Sequence, residues 1–192
     1  MDKKKSMTAV KAVVVVAIGA ALYGFGGLIG IPIFANTTIK PAMAILALFA
    51  GVYGPIVGAL VGFLGHWITD LFAGWGVWFT WVAGSAICGA LIGLYPIITK
   101  NALKEGKMNG KQIGIFIGLS FGANFIGYMI SAILDYLLFA EPMDKVITQQ
   151  LLVALVNTVV IAILGVLLMK LVASRFAKTR NLELDKTAED AK

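Results

Sequence analysis

Six apolar stretches separated by short polar joins run through this chain and leave little of its 192 residues for anything else. A helix needs about 20 apolar residues to cross a bilayer, so six such segments consume most of the length. Composition agrees, with 59% hydrophobic and only 14% charged residues, where a soluble domain carries roughly a quarter charged. The expectation is an all-α integral membrane protein with six transmembrane helices.

The charges sort by side. Of the 16 Lys and Arg, only Lys40 and Lys145 fall in the joins after the first, third and fifth stretches or at the span ends beside them. Those joins and the helix ends beside them also hold Asp70, Asp135, Glu141 and Asp144. Lys and Arg mark the cytoplasmic side, so both termini are expected there. The same sorting explains the net charge of +6 by topology and argues against nucleic-acid binding. The domain reading is a cytoplasmic segment over 1–8, a six-helix membrane domain over 9–174 and a charged cytoplasmic tail over 175–192. Residues 182–192 are expected to fray. The basic start followed by a long apolar run reads as an uncleaved first span.

The spans are expected at 8–31, 39–53, 56–72, 77–99, 112–139 and 146–173. The second is short, and its end at Gly54-Pro55 is an uncharged turn or kink. Gly54, Gly58 and Gly62 in span 3, Ser85, Gly89 and Gly93 in span 4, and Gly114, Gly118 and Gly122 in span 5 recur at helical spacing. Small residues let helix backbones approach in lipid. Each stripe therefore serves either packing within the bundle or docking of another membrane subunit, with the alanine-lined face of span 1 the preferred docking face.

No run resembles a phosphate-binding loop ending in Gly-Lys-Ser/Thr, so ATP-driven work requires separate ATPase subunits. One cysteine, Cys88, forbids a disulfide framework, and one histidine with scattered carboxylates makes a poor metal site. No serine or cysteine has an evident histidine partner, which places hydrolytic chemistry low. Neither a catalytic residue nor a bound cofactor is expected.

Polar residues converge in depth toward the outer half. His66 and Asp70 lie four apart on one helix face, Trp78 and Trp81 three apart, and Asn124 and Tyr128 four apart. Asn36 and Thr37 sit in the outer 1–2 loop, and Asn157 is near the middle of span 6. Buried polar groups in hydrocarbon need partners or an aqueous cavity. A planar ligand could stack on Trp78 or Trp81 and take hydrogen bonds from Asn36, His66, Asn124 or Asn157. Each has a plainer reading: tryptophans as interface anchors, Trp75 included, His66–Asp70 as a structural or proton-coupling pair, and the asparagines as interhelical links. Asp135 and Tyr136 read as the outer end of span 5.

Several stretches carry a resemblance: AIGAALYG at 17–24, NTT at 36–38, ALFAGVYGPIVG at 47–58, GFLGHWITD at 62–70 and WFTWVAGS at 78–85. Together they resemble the substrate-binding membrane subunits, or S components, of energy-coupling factor (ECF) transporters, and specifically the UPF0397 group. The resemblance covers about 10–173. It implies a six-helix capture subunit working with a membrane-embedded coupling subunit and two cytosolic ATPases, in the cell membrane. It also implies that Ala17 and Ala21, with Ala20 and Gly24 adjacent, contact the coupling subunit, and that residues 36–38 lid the substrate. The substrates it suggests are hydroxymethylpyrimidine or vitamin B6-like compounds. A self-sufficient secondary transporter or channel is the competing reading, and a structural adaptor the third.

Overall fold

A computed structural model of the chain describes residues 8–34, 37–74 and 76–190. The first helix, α1 (Ala9–Gly26), is followed by a hairpin of β1 (Ile31–Phe34) and β2 (Thr37–Ile39). A short α2 (Met43–Tyr53) leads into α3 (Pro55–Ala73) and α4 (Phe79–Ile92), the latter extended by one turn, α5 (Tyr95–Ile98). A 3-10 turn (Ala102–Glu105) precedes α6 (Gly110–Phe139). The last passage is α7 (Met143–Val160), a π-helical turn (Ile161–Gly165) and α8 (Val166–Asp190) in one run.

Among the described residues five segments are long and apolar enough to cross a membrane: Ala9–Gly26, Pro55–Ala73, Phe79–Ile98, Gly110–Phe139 and Met143–Leu182. The protein is a multi-pass, essentially all-α membrane protein, and among the described residues the one sheet is the two-stranded hairpin. The expected second span is the exception. Its 11 residues rise about 16 Å, roughly half of a hydrocarbon core. Leu46, Ala47 and Ala50 on it are completely buried, so α2 is packed inside the bundle.

The first span also ends earlier than its expected limit at residue 31. Helix α1 stops at Gly26, and the next apolar residues pair as antiparallel strands, Ile31 with Ile39 and Pro32 with Thr38. Pro32 and the β-branched Thr38 and Ile39 disfavour helix there. At the other end the tail expected to fray continues as helix to Asp190, in keeping with its Ala, Arg, Lys, Leu and Glu content.

Glycine sets the spacing of the central helices. One residue, Gly54, joins α2 to α3 with φ 97°, a conformation that favours glycine, and Pro55 then starts α3 at a position where its missing N–H costs nothing. The stripes of spans 3 and 4 face each other. A Cβ on Gly58 would lie 2.1 Å from the Gly89 carbonyl oxygen, and one on Gly62 would lie 2.3 Å from that of Ser85. These two stripes pack helices within the chain. The third stripe does not, since a Cβ on Gly114, Gly118 or Gly122 meets nothing within 4 Å.

Candidate functional site

The close α3–α4 crossing decides what His66 can touch. With Gly62 against the Ser85 backbone, the Ser85 hydroxyl comes 2.5 Å from His66 Nδ1. The serine partner that spacing alone did not reveal is therefore present. On its other side His66 Nε2 lies 3.5 Å from Asp70 Oδ1, one turn along α3. The order Asp70–His66–Ser85 does not present a nucleophile, however. Ser85 is fully enclosed, and its Oγ also shares hydrogen bonds with Tyr23 (3.3 Å) and Tyr128 (3.2 Å). Serine, histidine and two tyrosines form a closed polar knot joining α1, α3, α4 and α6.

Above this knot, at the hairpin end of the bundle, lies a cavity of about 510 Å³. His66 and Asp70 form part of its floor, Trp78 and Trp81 line one side, and Pro32 and Thr38 of the hairpin reach it from above. Strand β2 packs against α7, which contributes Lys145 and Gln149. Glu141, at the turn before α7, pairs with Lys145 at 2.6 Å on the rim. Lys40, just after β2, also lines the cavity, and burial holds its ammonium below the ordinary lysine range while the Asp70 carboxylate opposes that shift.

Asp135 stands near the end of α6, as expected, and the new finding is the direction of its side chain. Although it lies one turn from the end of α6, it points inward and is buried, whereas Tyr136 beside it is exposed. Its Oδ1 accepts from Trp78 Nε1 at 2.7 Å and from the Thr80 hydroxyl, and its Oδ2 accepts from Trp81 Nε1 at 2.9 Å. Gln150 Nε2 of α7 stands 3.5 Å from Oδ2. Asn124, Tyr128, Ser131 and Asp135 are all buried and follow helical spacing on one face of α6. That polar stripe was the signal available for Asp135.

The structure thus brings together His66, Asp70, Trp78 and Trp81 around one cavity. It places three other expected contacts lower. Asn124 is fully buried and donates to the Ser120 carbonyl at 2.8 Å, Tyr128 joins the knot, and Asn157 interacts with Tyr128. None of the three lines the cavity. Trp81 meets the Tyr128 ring edge-on, with centroids 6.3 Å apart, so Tyr128 supports the wall from behind. Thr37 belongs to β2, while Asn36, Trp75 and the basic segment before Thr8 lie outside the described residues. Lys40, Asp135, Glu141, Lys145 and Gln149 also line the cavity and were not among the expected ligand contacts.

The four residues of the first-helix face divide. Ala20 and Gly24 are buried against α3, where a Cβ on Gly24 would lie 2.9 Å from the Gly65 carbonyl oxygen. Ala17 is exposed and Ala21 half-buried, among the outward-facing Val13, Val14, Ile18 and Leu22. Among the described residues no group of three or more His, Cys, Asp or Glu could hold a metal ion.

These features define a multi-pass membrane protein with a small-molecule-sized chamber, walled by tryptophans and a few polar groups, at one end of its helices. Residues 7–174 match the family described as "ECF-type riboflavin transporter, S component". A UPF0397 protein of Vibrio atlanticus is 58% identical over 174 residues, covering 90% of this chain and 96% of its own. A UPF0397 protein of Aliivibrio fischeri is 59% identical over 174 residues, with 90% and 95% covered. One from Streptococcus sanguinis is 40% identical over 172 residues, with 89% and 92% covered. No solved structure matches. The chain belongs to the S-component family of ECF transporters, in its UPF0397 group.

Proposed function

We propose that this chain is the substrate-capture subunit of an ATP-dependent importer, taking a small planar heterocycle from outside the cell. The observation that carries this reading is the cavity of about 510 Å³ under the hairpin, with two tryptophans and polar groups on its walls. Pockets of this size and makeup suit a single vitamin-sized molecule. Trp78 and Trp81 supply ring surface, His66 and Asp70 supply polar contacts, and the hairpin with Asn36 and Thr37 acts as the lid. Asn124, Tyr128 and Asn157 hold the floor. Hydroxymethylpyrimidine or a vitamin B6-like compound is the proposed cargo, and the family's description makes riboflavin the comparison to test.

In this reading α2 is a short sixth crossing and both termini are cytoplasmic. A membrane-embedded coupling subunit docks on α1, two cytosolic ATPases hydrolyse ATP, and this chain topples in the bilayer to release its cargo. Orientation has its own test. The lone native cysteine, Cys88, is completely buried, so cysteines introduced at Glu141 and Lys107 can be read against a silent background. A membrane-impermeant maleimide should label Glu141→Cys in intact cells, and Lys107→Cys only after permeabilisation. The reverse pattern would invert the bundle.

Binding and transport separate the function from its competitor. The purified chain, without partners, should bind hydroxymethylpyrimidine or pyridoxine in a calorimetric titration, with riboflavin as the third titrant. Trp78→Ala should weaken that binding about tenfold, the scale of one lost aromatic contact. Reconstituted vesicles should accumulate cargo only when the coupling subunit, ATPases and ATP are present. Accumulation by this chain alone would make it a self-sufficient secondary transporter.

A further inference from the structure

A buried carboxylate held by neutral groups is unusual enough to need a reason. Among the described residues the donors around Asp135, namely Trp78 Nε1, the Thr80 hydroxyl, Trp81 Nε1 and Gln150 Nε2, are all uncharged. Nearby charges have other company: Lys145 is paired with Glu141, and Asp70 accepts the Trp78 backbone N–H at 3.1 Å. Hydrogen bonds to an ionised acceptor are roughly twice as strong as neutral ones, and two of these fix indole rings. The contacts fill both oxygens of Asp135, which leaves little capacity for accepting from a ligand. Its influence on the cavity must then pass through the tryptophans.

We propose that Asp135 is a positioning residue that locks the Trp78 and Trp81 indoles as the aromatic wall of the cavity and tunes that wall toward electron-poor or protonated nitrogen heterocycles. Each indole is held at its N–H, the one polar handle on the ring. Donation of that N–H to an anion raises electron density on the ring, strengthening the negative π-face that attracts cationic or electron-deficient partners. Three helices meet at this carboxylate: α4, with Trp78 just before it, brings the indoles and Thr80, α6 brings Asp135 and α7 brings Gln150. Gln150 is fully buried and its Oε1 has no hydrogen-bond partner among the described residues, so the amide is committed through its nitrogen side. The proposal rests on the cavity being the substrate site, and its first test is independent of that reading.

The test is Asp135→Asn, which keeps the shape but replaces one acceptor oxygen with an NH2 that cannot accept an indole N–H. In the ligand-free protein in detergent, the near-ultraviolet circular dichroism bands of tryptophan should lose intensity in D135N. The same substitution should leave them unchanged in a Trp78→Phe/Trp81→Phe background. In titrations, D135N should weaken hydroxymethylpyrimidine or pyridoxine about tenfold in the native background and less than about twofold in the double-Phe background. Its preference for hydroxymethylpyrimidine over the carbocyclic ortho-aminobenzyl alcohol should shrink as well. An unaltered tryptophan spectrum in D135N, or equal weakening in both backgrounds, would overturn the proposal. If the native protein binds neither heterocycle, the site reading fails while the ligand-free spectrum still decides the role of Asp135. Should D135N not fold, Trp81→Phe serves: the Trp78 band is expected to survive because Asp135 and Thr80 remain, and its loss would count against the carboxylate as the anchor.

Discussion

Replacing Gly89 with valine should abolish the folded bundle, whereas the same change at Gly114 should leave its thermal stability nearly unchanged. The contrast comes from what each position meets. A Cβ on Gly89 would sit 2.0 Å from the Gly58 carbonyl oxygen and 2.5 Å from its carbon, both backbone atoms on a facing helix. Flexible side chains can turn away from such a contact, but two helix backbones cannot separate without opening the whole α3–α4 seam. Overpacking a core by a methylene or two costs about 1–3 kcal/mol, and a rigid backbone clash belongs at or above the top of that range. The seam also seats Ser85 against His66, so cavity and fold should be lost together. Gly114 meets nothing within 4 Å, and valine is at least as helix-compatible as glycine, so the change there should fall within about 0.5 kcal/mol. Thermal unfolding of both variants in detergent, alongside size-exclusion profiles, checks the pair. A monodisperse Gly89→Val protein with native melting would refute the close crossing.

The difference between these two glycines also shows where sequence reading stops. Both belong to stripes of identical spacing, and the chain itself supplies no sign that one is paired and the other open. Long apolar spans and the sorting of Lys and Arg were readable because insertion into a bilayer depends on local composition. His66 with Asp70, and Trp78 with Trp81, were readable because each pair shares one helix or its first turn, where spacing fixes the face. Ser85 was not, because its meeting with His66 depends on how closely two helices cross. Asp135 was readable as a helix-end residue, but its inward direction was not, because nearness to a helix end says nothing of which way a side chain points. Its helical spacing with Asn124, Tyr128 and Ser131 is the one feature of the chain that points inward. The hairpin over 31–39 and the shortness of α2 were hidden by an apolar composition that suits strand, span or buried helix alike.

A bulky side chain at Ala17 should cut cargo uptake by the assembled transporter about tenfold or more while leaving binding by the isolated chain within about twofold. Helix α1 has two different faces. One is committed to the bundle, with Ala20 and Tyr23 buried and Gly24 against α3. The other carries Ala17 and Ala21 between Val13, Val14, Ile18 and Leu22. Leucine or phenylalanine at Ala17 would project away from the bundle, so neither the knot around Ser85 nor the cavity should notice it. A second membrane protein packed on this face would notice, because lipid offers helices little hydrophobic reason to associate and close backbone approach carries the contact. A tenfold fall requires only about 1.4 kcal/mol of lost association, the scale expected when one methyl-sized contact becomes a wedge. Ala20→Leu is the internal comparison, since bulk there enters the α1–α3 seam and should reduce folded yield and binding alike. Uptake and binding measured on both variants separate docking from folding. If Ala17→Phe lowers binding by the purified chain as much as it lowers uptake, or changes neither, then the exposed face of α1 is not where the coupling subunit sits.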